Sequence, residues 1–102
     1  MADMIKVVIK NPGFSAKTWE IENRLETLQE IVDGYIEMIP ISKTVVLIVN
    51  EEGKLKGLPV NFYLRDLRDY IVGPAIFAGV KGEDLTSLSD SQARRLMKEL
   101  EA

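Results

Sequence analysis

The sequence contains neither cysteine nor histidine among its 102 residues. Without cysteine no disulfide framework can form, which argues against a small secreted scaffold. Without either residue type, a cysteine–histidine zinc site and every nucleophile system with a histidine base are excluded. Catalysis would then depend on carboxylates, lysines, tyrosines or a bound metal ion. We therefore expect a protein that is not an enzyme and that has no cofactor.

The sequence also has no long apolar run and no excess of basic residues. The longest nearly apolar stretch, 71–80, is broken by Gly73, Pro74 and Gly79, whereas a membrane-spanning helix needs about 20 apolar residues. The formal net charge is −3 and the basic residues form no stripe, which argues against nucleic acid as a partner. The apolar stretch within residues 1–6 is too short for a signal peptide. We expect a cytoplasmic protein.

Length and composition predict one domain over residues 1–102, because a chain this short encloses a single hydrophobic core. Residues 5–10 and 17–22 are rich in β-forming residues and flank a turn signal, so they predict an antiparallel hairpin with a loop at 11–16. Further strands are predicted at 35–39 and 44–49, the latter central because it is apolar on both faces.

Two helices are predicted from capping residues and apolar spacing. Asn23 is the expected N-cap of the first helix, with Glu26 completing a capping box and Gly34 ending the helix in a left-handed conformation. Ser89 and Gln92 form the corresponding capping box of the last helix. That helix carries an apolar stripe at three-to-four-residue spacing, formed by Ala93, Leu96, Met97 and Leu100.

The region between these helices is harder to assign. Residues 62–70 fit either a short helix or an extended segment. Residues 71–80 fit a strand kinked at Gly73–Pro74, or an edge strand, because proline cannot donate to a ladder. Taken together, the pattern predicts an α+β fold with an antiparallel sheet of four to six strands and two main helices.

The segment 50–61 is the leading candidate for a binding element. It contains two glycines, a proline, two asparagines and four charged residues, and it exceeds the roughly two to five residues that close a hairpin. The amides of Asn50 and Asn61 suit a nucleobase edge or a ribose, but each could equally cap a turn. Lys54 is a candidate phosphate ligand, although a solvated surface lysine would need no such role.

Other candidates lie outside that segment. Tyr35 and Trp19 are the aromatic residues considered for stacking on a base, and packing is the alternative for each. Arg65 is a second candidate to face a phosphate. The acidic pair Glu51–Glu52 lacks the ligand spacing of a calcium loop, so no metal site is expected there.

Five blocks of sequence, in order, resemble domain-of-unknown-function family 3846, whose members are small proteins of bacteriophages and mobile elements. The blocks that carry the resemblance are 34–37, 50–55, 58–59 with Asn61, 71–74 and 85–90. The family name carries no activity, so no residue role is transferred. The resemblance implies a small accessory protein of a phage or mobile element in the cytoplasm of a bacterial host.

This context favours a function in binding. The first hypothesis is an anti-defence sponge that sequesters a cyclic nucleotide or cyclic ADP-ribose-type immune signal. Its ligand-binding residues would be Tyr35, Asn50, Lys54, Asn61 and Arg65. The second is a protein-interaction module that inhibits a host defence enzyme. The third is a metal-dependent hydrolase of such a signal using Glu51, Glu52 and Asp66. A homo-oligomer, most simply a dimer, is expected because a short chain has little concave surface of its own.

Overall fold

The computed structural model describes residues 3–101, so the predictions about residues 1–6 and about a single domain over 1–102 include residues outside this range. Eight strands and two α-helices follow one another as β1 (Met4–Lys10), β2 (Lys17–Glu22), α1 (Leu25–Val32), β3 (Ile36–Pro40), β4 (Val45–Asn50), β5 (Val60–Leu64), β6 (Asp69–Val72), β7 (Ala75–Lys81), β8 (Asp84–Thr86) and α2 (Asp90–Glu101). A short 3-10 helix, Arg65–Leu67, joins β5 to β6. The predicted α+β class is confirmed.

The main sheet has six strands in the order β2-β1-β7-β4-β3, with β8 also paired to β7. The described pairings within it are antiparallel, and β1 with β2 forms the predicted hairpin. Strands β5 and β6 form a separate two-stranded hairpin. The central position of β4 follows from its sequence, since all six of its residues are buried and five of them are apolar.

The sheet is covered on both faces. Helix α1 packs Leu28 and Val32 on one face, which includes Val7, Ile48 and Ile76. Helix α2 and the β5–β6 hairpin cover the other face. The apolar stripe predicted for α2 packs there, and Phe62 of the hairpin stacks on Phe77 with ring centroids 5.9 Å apart.

The capping box predicted for α2 is confirmed. The Gln92 backbone N–H donates to Ser89 Oγ at 3.1 Å, and the Ser89 N–H donates to Gln92 Oε1 at 2.8 Å. The box predicted for α1 is wrong, because Arg24 is the N-cap and the Asn23 amide instead donates to the Leu85 carbonyl at 3.1 Å. The tertiary bond to β8 therefore takes the place of a local cap.

Two further predictions are corrected. Asp33, rather than Gly34, adopts the left-handed conformation at the end of α1, with φ of 61° and ψ of 48°. Aspartate tolerates this region because its short polar side chain can form local hydrogen bonds. Residues 71–80 are neither one kinked strand nor an edge strand. The chain leaves the hairpin at Val72, turns through Gly73–Pro74 and enters β7, which lies inside the sheet between β1 and β4.

Candidate functional site

Asn50 ends β4 and joins it to α1. The residue is 4% exposed, and Nδ2 donates to the carbonyl oxygens of Val32 at 3.0 Å and Asp33 at 3.1 Å. Its Oδ1 accepts from the Glu52 backbone N–H at 2.8 Å, which folds the first turn of the following loop. The amide therefore satisfies carbonyl groups at the C-terminus of α1 that have no partner within the helix. These bonds support the capping role of Asn50, and ligand contact stays a prediction.

Asn61 occupies an equivalent position at the other end of the segment. Its Nδ2 donates to the Lys10 carbonyl at 2.7 Å and to the Gly73 carbonyl at 2.8 Å, joining β5 to β1 and to the turn before β7. Its Oδ1 is buried and has no hydrogen-bond partner among the described residues. Both amide hydrogens are thus committed to the backbone, which supports an architectural role for Asn61 as well.

The loop between these residues is packed against the β5–β6 hairpin. Residues 51–57 form consecutive turns, closed by hydrogen bonds such as that from the Leu58 N–H to the Gly53 carbonyl at 2.9 Å. Gly53 is buried, and a Cβ atom there would lie 2.9 Å from Cγ2 of Val72. The glycine is therefore explained by close packing of loop on hairpin.

A small cleft opens beside this loop, between β3 and β6. Its volume is about 70 Å³. Valine and isoleucine side chains from β3, β4 and β6 form the floor, and Glu37, Lys54 and Tyr70 bring a carboxylate, an ammonium group and a phenol to it. The residues that line the cleft are Glu37, Ile39, Val49, Asn50, Glu51, Gly53, Lys54, Tyr70, Ile71 and Val72.

Lys54 is the more exposed of the two predicted ligand residues that line the cleft. It forms an exposed ion pair with Asp69 at the start of β6, and the hydrogen bond from Lys54 lowers the pKa of the Asp69 carboxyl. Exposed ion pairs contribute little to stability, because solvent screens them. The ammonium group can therefore exchange Asp69 for a phosphate at little cost.

Two further predicted residues, like Asn61, lie outside the lining of the cleft. Tyr35 precedes β3, where its carbonyl accepts from the Glu51 N–H at 2.8 Å and the residue is 67% exposed. Arg65 begins the 3-10 helix at the tip of the β5–β6 hairpin and is exposed. The structure thus brings Asn50 and Lys54 together at the cleft, places Tyr35 next to the start of the loop, and leaves Asn61 and Arg65 elsewhere.

Sequence reasoning did not single out Glu37 and Tyr70. Glu37 points to the cleft because it pairs with Val49 across β3 and β4, and opposite residues of an antiparallel pair share a face. Tyr70 is paired with Tyr63 across the second hairpin, with ring centroids 5.0 Å apart. The alternation of residues 35–39 already implied that Glu37 and Ile39 share a face, but nothing local indicated that β6 lies beside them.

The acidic residues Glu51, Glu52 and Asp66 are the candidate metal ligands of the hydrolase hypothesis. Within residues 3–101, no group of three or more aspartate or glutamate side chains is close enough to hold a metal ion. Glu51 is exposed, Glu52 is half-buried, and Asp66 is exposed in the 3-10 helix. No helix in the described part of the chain is long and apolar enough to cross a membrane.

These features define an α+β protein with two tightly bonded asparagines and a shallow mixed-polarity cleft beside the loop that connects them. The chain matches the family model described as Domain of unknown function (DUF3846) over residues 5–101, and so it belongs to that family. Comparison with curated proteins gave no match, and neither did comparison with solved structures. The family description assigns no activity.

Proposed function

We propose that this protein is a non-catalytic binding protein of a bacteriophage or mobile element that acts in the cytoplasm of the bacterial host. Its ligand is a cyclic nucleotide or a cyclic ADP-ribose-type signal, which it sequesters. The observation that supports this proposal is the cleft between β3 and β6, where Glu37, Lys54 and Tyr70 surround an apolar floor. Apolar walls with a few polar groups are typical of small-molecule sites.

Each group at the cleft has a suitable partner on a nucleotide. Tyr70 is 54% exposed, and its ring offers a face on which a base can stack. The Lys54 ammonium group can bind a phosphate after release from Asp69. The Glu37 carboxylate can accept a hydrogen bond from a ribose hydroxyl or an exocyclic amine. Tyr35 and Arg65 extend the proposed contacts beyond the cleft as a second stacking surface and a second cation.

The size of the cleft limits what one chain can enclose. About 70 Å³ is well below the roughly 300–1,000 Å³ of ordinary ligand pockets. One copy can therefore enclose only an edge of a nucleotide. Full burial requires either displacement of the β5–β6 hairpin from β3 or cover by a second copy.

Native mass spectrometry of protein purified from bacterial cells that produce the signal tests this proposal. We expect an adduct that is released intact on denaturation and is absent from Lys54→Ala protein isolated in parallel. Release of a chemically altered nucleotide would instead indicate a hydrolase. Absence of any adduct, together with no binding of added cyclic nucleotides, would overturn the proposal.

A second function, inhibition of a host defence enzyme, is favoured by the outer surface of the β5–β6 hairpin. Tyr63 and Tyr70 form an edge-to-face pair there and are each about half exposed. Val60 and Leu67 of the same hairpin are also exposed. Clustered exposed aromatic residues are typical of protein interfaces. Leu67→Ala would then weaken inhibition of the target enzyme, whereas nucleotide binding at the cleft, which Leu67 does not line, would be retained.

A further inference from the structure

Strand β2, at the edge of the sheet, has a row of backbone groups without hydrogen-bond partners among residues 3–101. The Asn23 N–H donates to the Asp3 carbonyl at 2.7 Å, and the same register continues as Ile21 opposite Ile5 and Trp19 opposite Val7. Hydrogen-bonding direction alternates along a strand, so these odd-numbered residues direct their N–H and C=O groups towards β1. Of the intervening residues, Thr18 and Glu20 direct both groups to solvent, whereas the Glu22 carbonyl accepts from the Arg24 N–H at 2.9 Å.

The opposite edge of the sheet is less suited to pairing. The Tyr35 carbonyl and the Ile41 N–H both bond to the β4 side, so Ile36, Met38 and Pro40 direct their backbone groups outward. Pro40 has no N–H to offer, and proline on an outward position of an edge strand is a common protection against pairing. The β2 edge has no proline, so Thr18 and Glu20 each offer both an N–H and a C=O.

We propose that β2 pairs in antiparallel fashion with β2 of a second copy, about a two-fold axis through Trp19, to form one continuous sheet. Opposite residues must share a face, so the axis passes through a residue. Centred on Trp19, the register places Thr18 opposite Glu20 and Lys17 opposite Ile21. Centred on Glu20, it would place two like charges directly opposite, which is destabilising.

The backbone pattern agrees with the Trp19 register. The outward N–H and C=O groups of Thr18 would form hydrogen bonds with those of Glu20 in the other copy. Trp19 would then form a non-hydrogen-bonded pair, in which opposite side chains approach most closely. Trp19 is 55% exposed and is contacted by Lys17, whose Nζ lies 5.1 Å from the ring centroid. Pairing would remove part of this aromatic surface from water.

Charge on the other face is also compatible with pairing. The Glu20 side chains of the two copies would be diagonal neighbours, at the larger of the cross-strand separations. Within each copy Glu20 is opposite Lys6 of β1, whose ammonium group pairs with Asp90. This pairing requires no ligand and leaves the cleft between β3 and β6 open.

Sedimentation and fluorescence together test the pairing, because Trp19 is the only tryptophan. We expect the mass to rise with concentration from 11.5 kDa to about twice that value, with a parallel blue shift of the emission. Thr18→Pro removes an outward N–H and should leave a folded monomer. The control Met38→Pro makes the same change on the opposite edge and should still dimerise.

Amide hydrogen exchange by NMR keeps the test independent of how the proline variants fold. In the wild type, the amides of Thr18 and Glu20 should exchange fast in dilute solution and several-fold more slowly at high concentration. Ile36 and Met38 should show no such change. A mass of 11.5 kDa at every concentration up to the millimolar range would overturn the proposal, as would protection of Met38 instead of Glu20.

Discussion

Gly34 lies directly against the side chain of Asn50, and a Cβ atom at position 34 would be 2.6 Å from Asn50 Nδ2. That nitrogen donates to the carbonyls of Val32 and Asp33 at the end of α1. The end of the helix, the glycine and the end of β4 therefore form one close-packed unit. The same unit contains two of the blocks that carry the family resemblance, 34–37 and 50–55.

Gly34→Ala is expected to lower the free energy of unfolding by about 2–3 kcal/mol, because the new methyl group displaces a buried amide from its hydrogen bonds. Urea denaturation followed by circular dichroism measures the loss. Gly57→Ala is the matched control: both glycines have a positive φ, 156° for Gly34 and 68° for Gly57, but at Gly57 no described atom beyond the adjacent residues lies within 4 Å of the new methyl group. Equal losses for the two variants would show that contact with Asn50 is unimportant.

Asn50→Ala is expected to destabilise the protein by about 2–3 kcal/mol, since it leaves the Val32 and Asp33 carbonyls without their donor in a buried site. Asn61→Ala also removes two hydrogen bonds. It also removes a buried oxygen that has no partner among the described residues, so the loss of stability should be smaller, about 1 kcal/mol. Thermal melts of both variants show which of them loses more stability. A larger loss for Asn61→Ala would contradict this account of the two amides.

Two exposed ion pairs should make the free energy of unfolding depend on pH in the acid range. Hydrogen bonds from Lys54 and Lys6 lower the pKa of Asp69 and of Asp90, respectively, below the ordinary value of 3.8. A carboxyl whose pKa is lowered by folding stabilises the native state above its unfolded pKa. That contribution is lost as the pH falls through the folded pKa.

The urea midpoint of Asp90→Asn measures this effect. The variant should lie slightly below wild type at pH 7, and the difference should disappear as the pH falls below about 3.8. Asp66→Asn serves as the control, because Asp66 forms no salt bridge in the described part of the chain. A difference that grows on acidification would have the wrong sign and would contradict the role of the ion pair.

Local sequence signals predicted most of the fold. The first hairpin, both helices and the buried strand β4 follow from alternation, turn residues and helical spacing. The order of the strands does not follow, because β7 becomes central only through its pairing with β1 and β4, which are distant in sequence. Likewise, Asn23 has the residue type of an N-cap, yet the carbonyl of Leu85 binds its amide.

The candidate site was predictable only in part. Lys54 lies in the segment that its composition marked as unusual, and it does reach the cleft. Asn50 and Asn61 lie in the same segment, but their amides donate to backbone carbonyls at the end of α1, in β1 and in the turn before β7. These hydrogen bonds could not be inferred from neighbouring residues. Glu37 and Tyr70 come together only through tertiary packing.

Calorimetric titration with cyclic dinucleotides and cyclic ADP-ribose isomers tests the proposed binding function most directly. We expect wild type to bind at least one of them, and Lys54→Ala to bind it about ten- to a hundredfold more weakly, the equivalent of roughly 1.5–3 kcal/mol for a charge-assisted contact. Tyr70→Ala should weaken binding similarly through lost stacking. Lys81→Ala, which removes an exposed lysine at the far end of β7, should bind as wild type does. No binding by wild type, or equal weakening by Lys54→Ala and Lys81→Ala, would contradict a nucleotide site at the cleft.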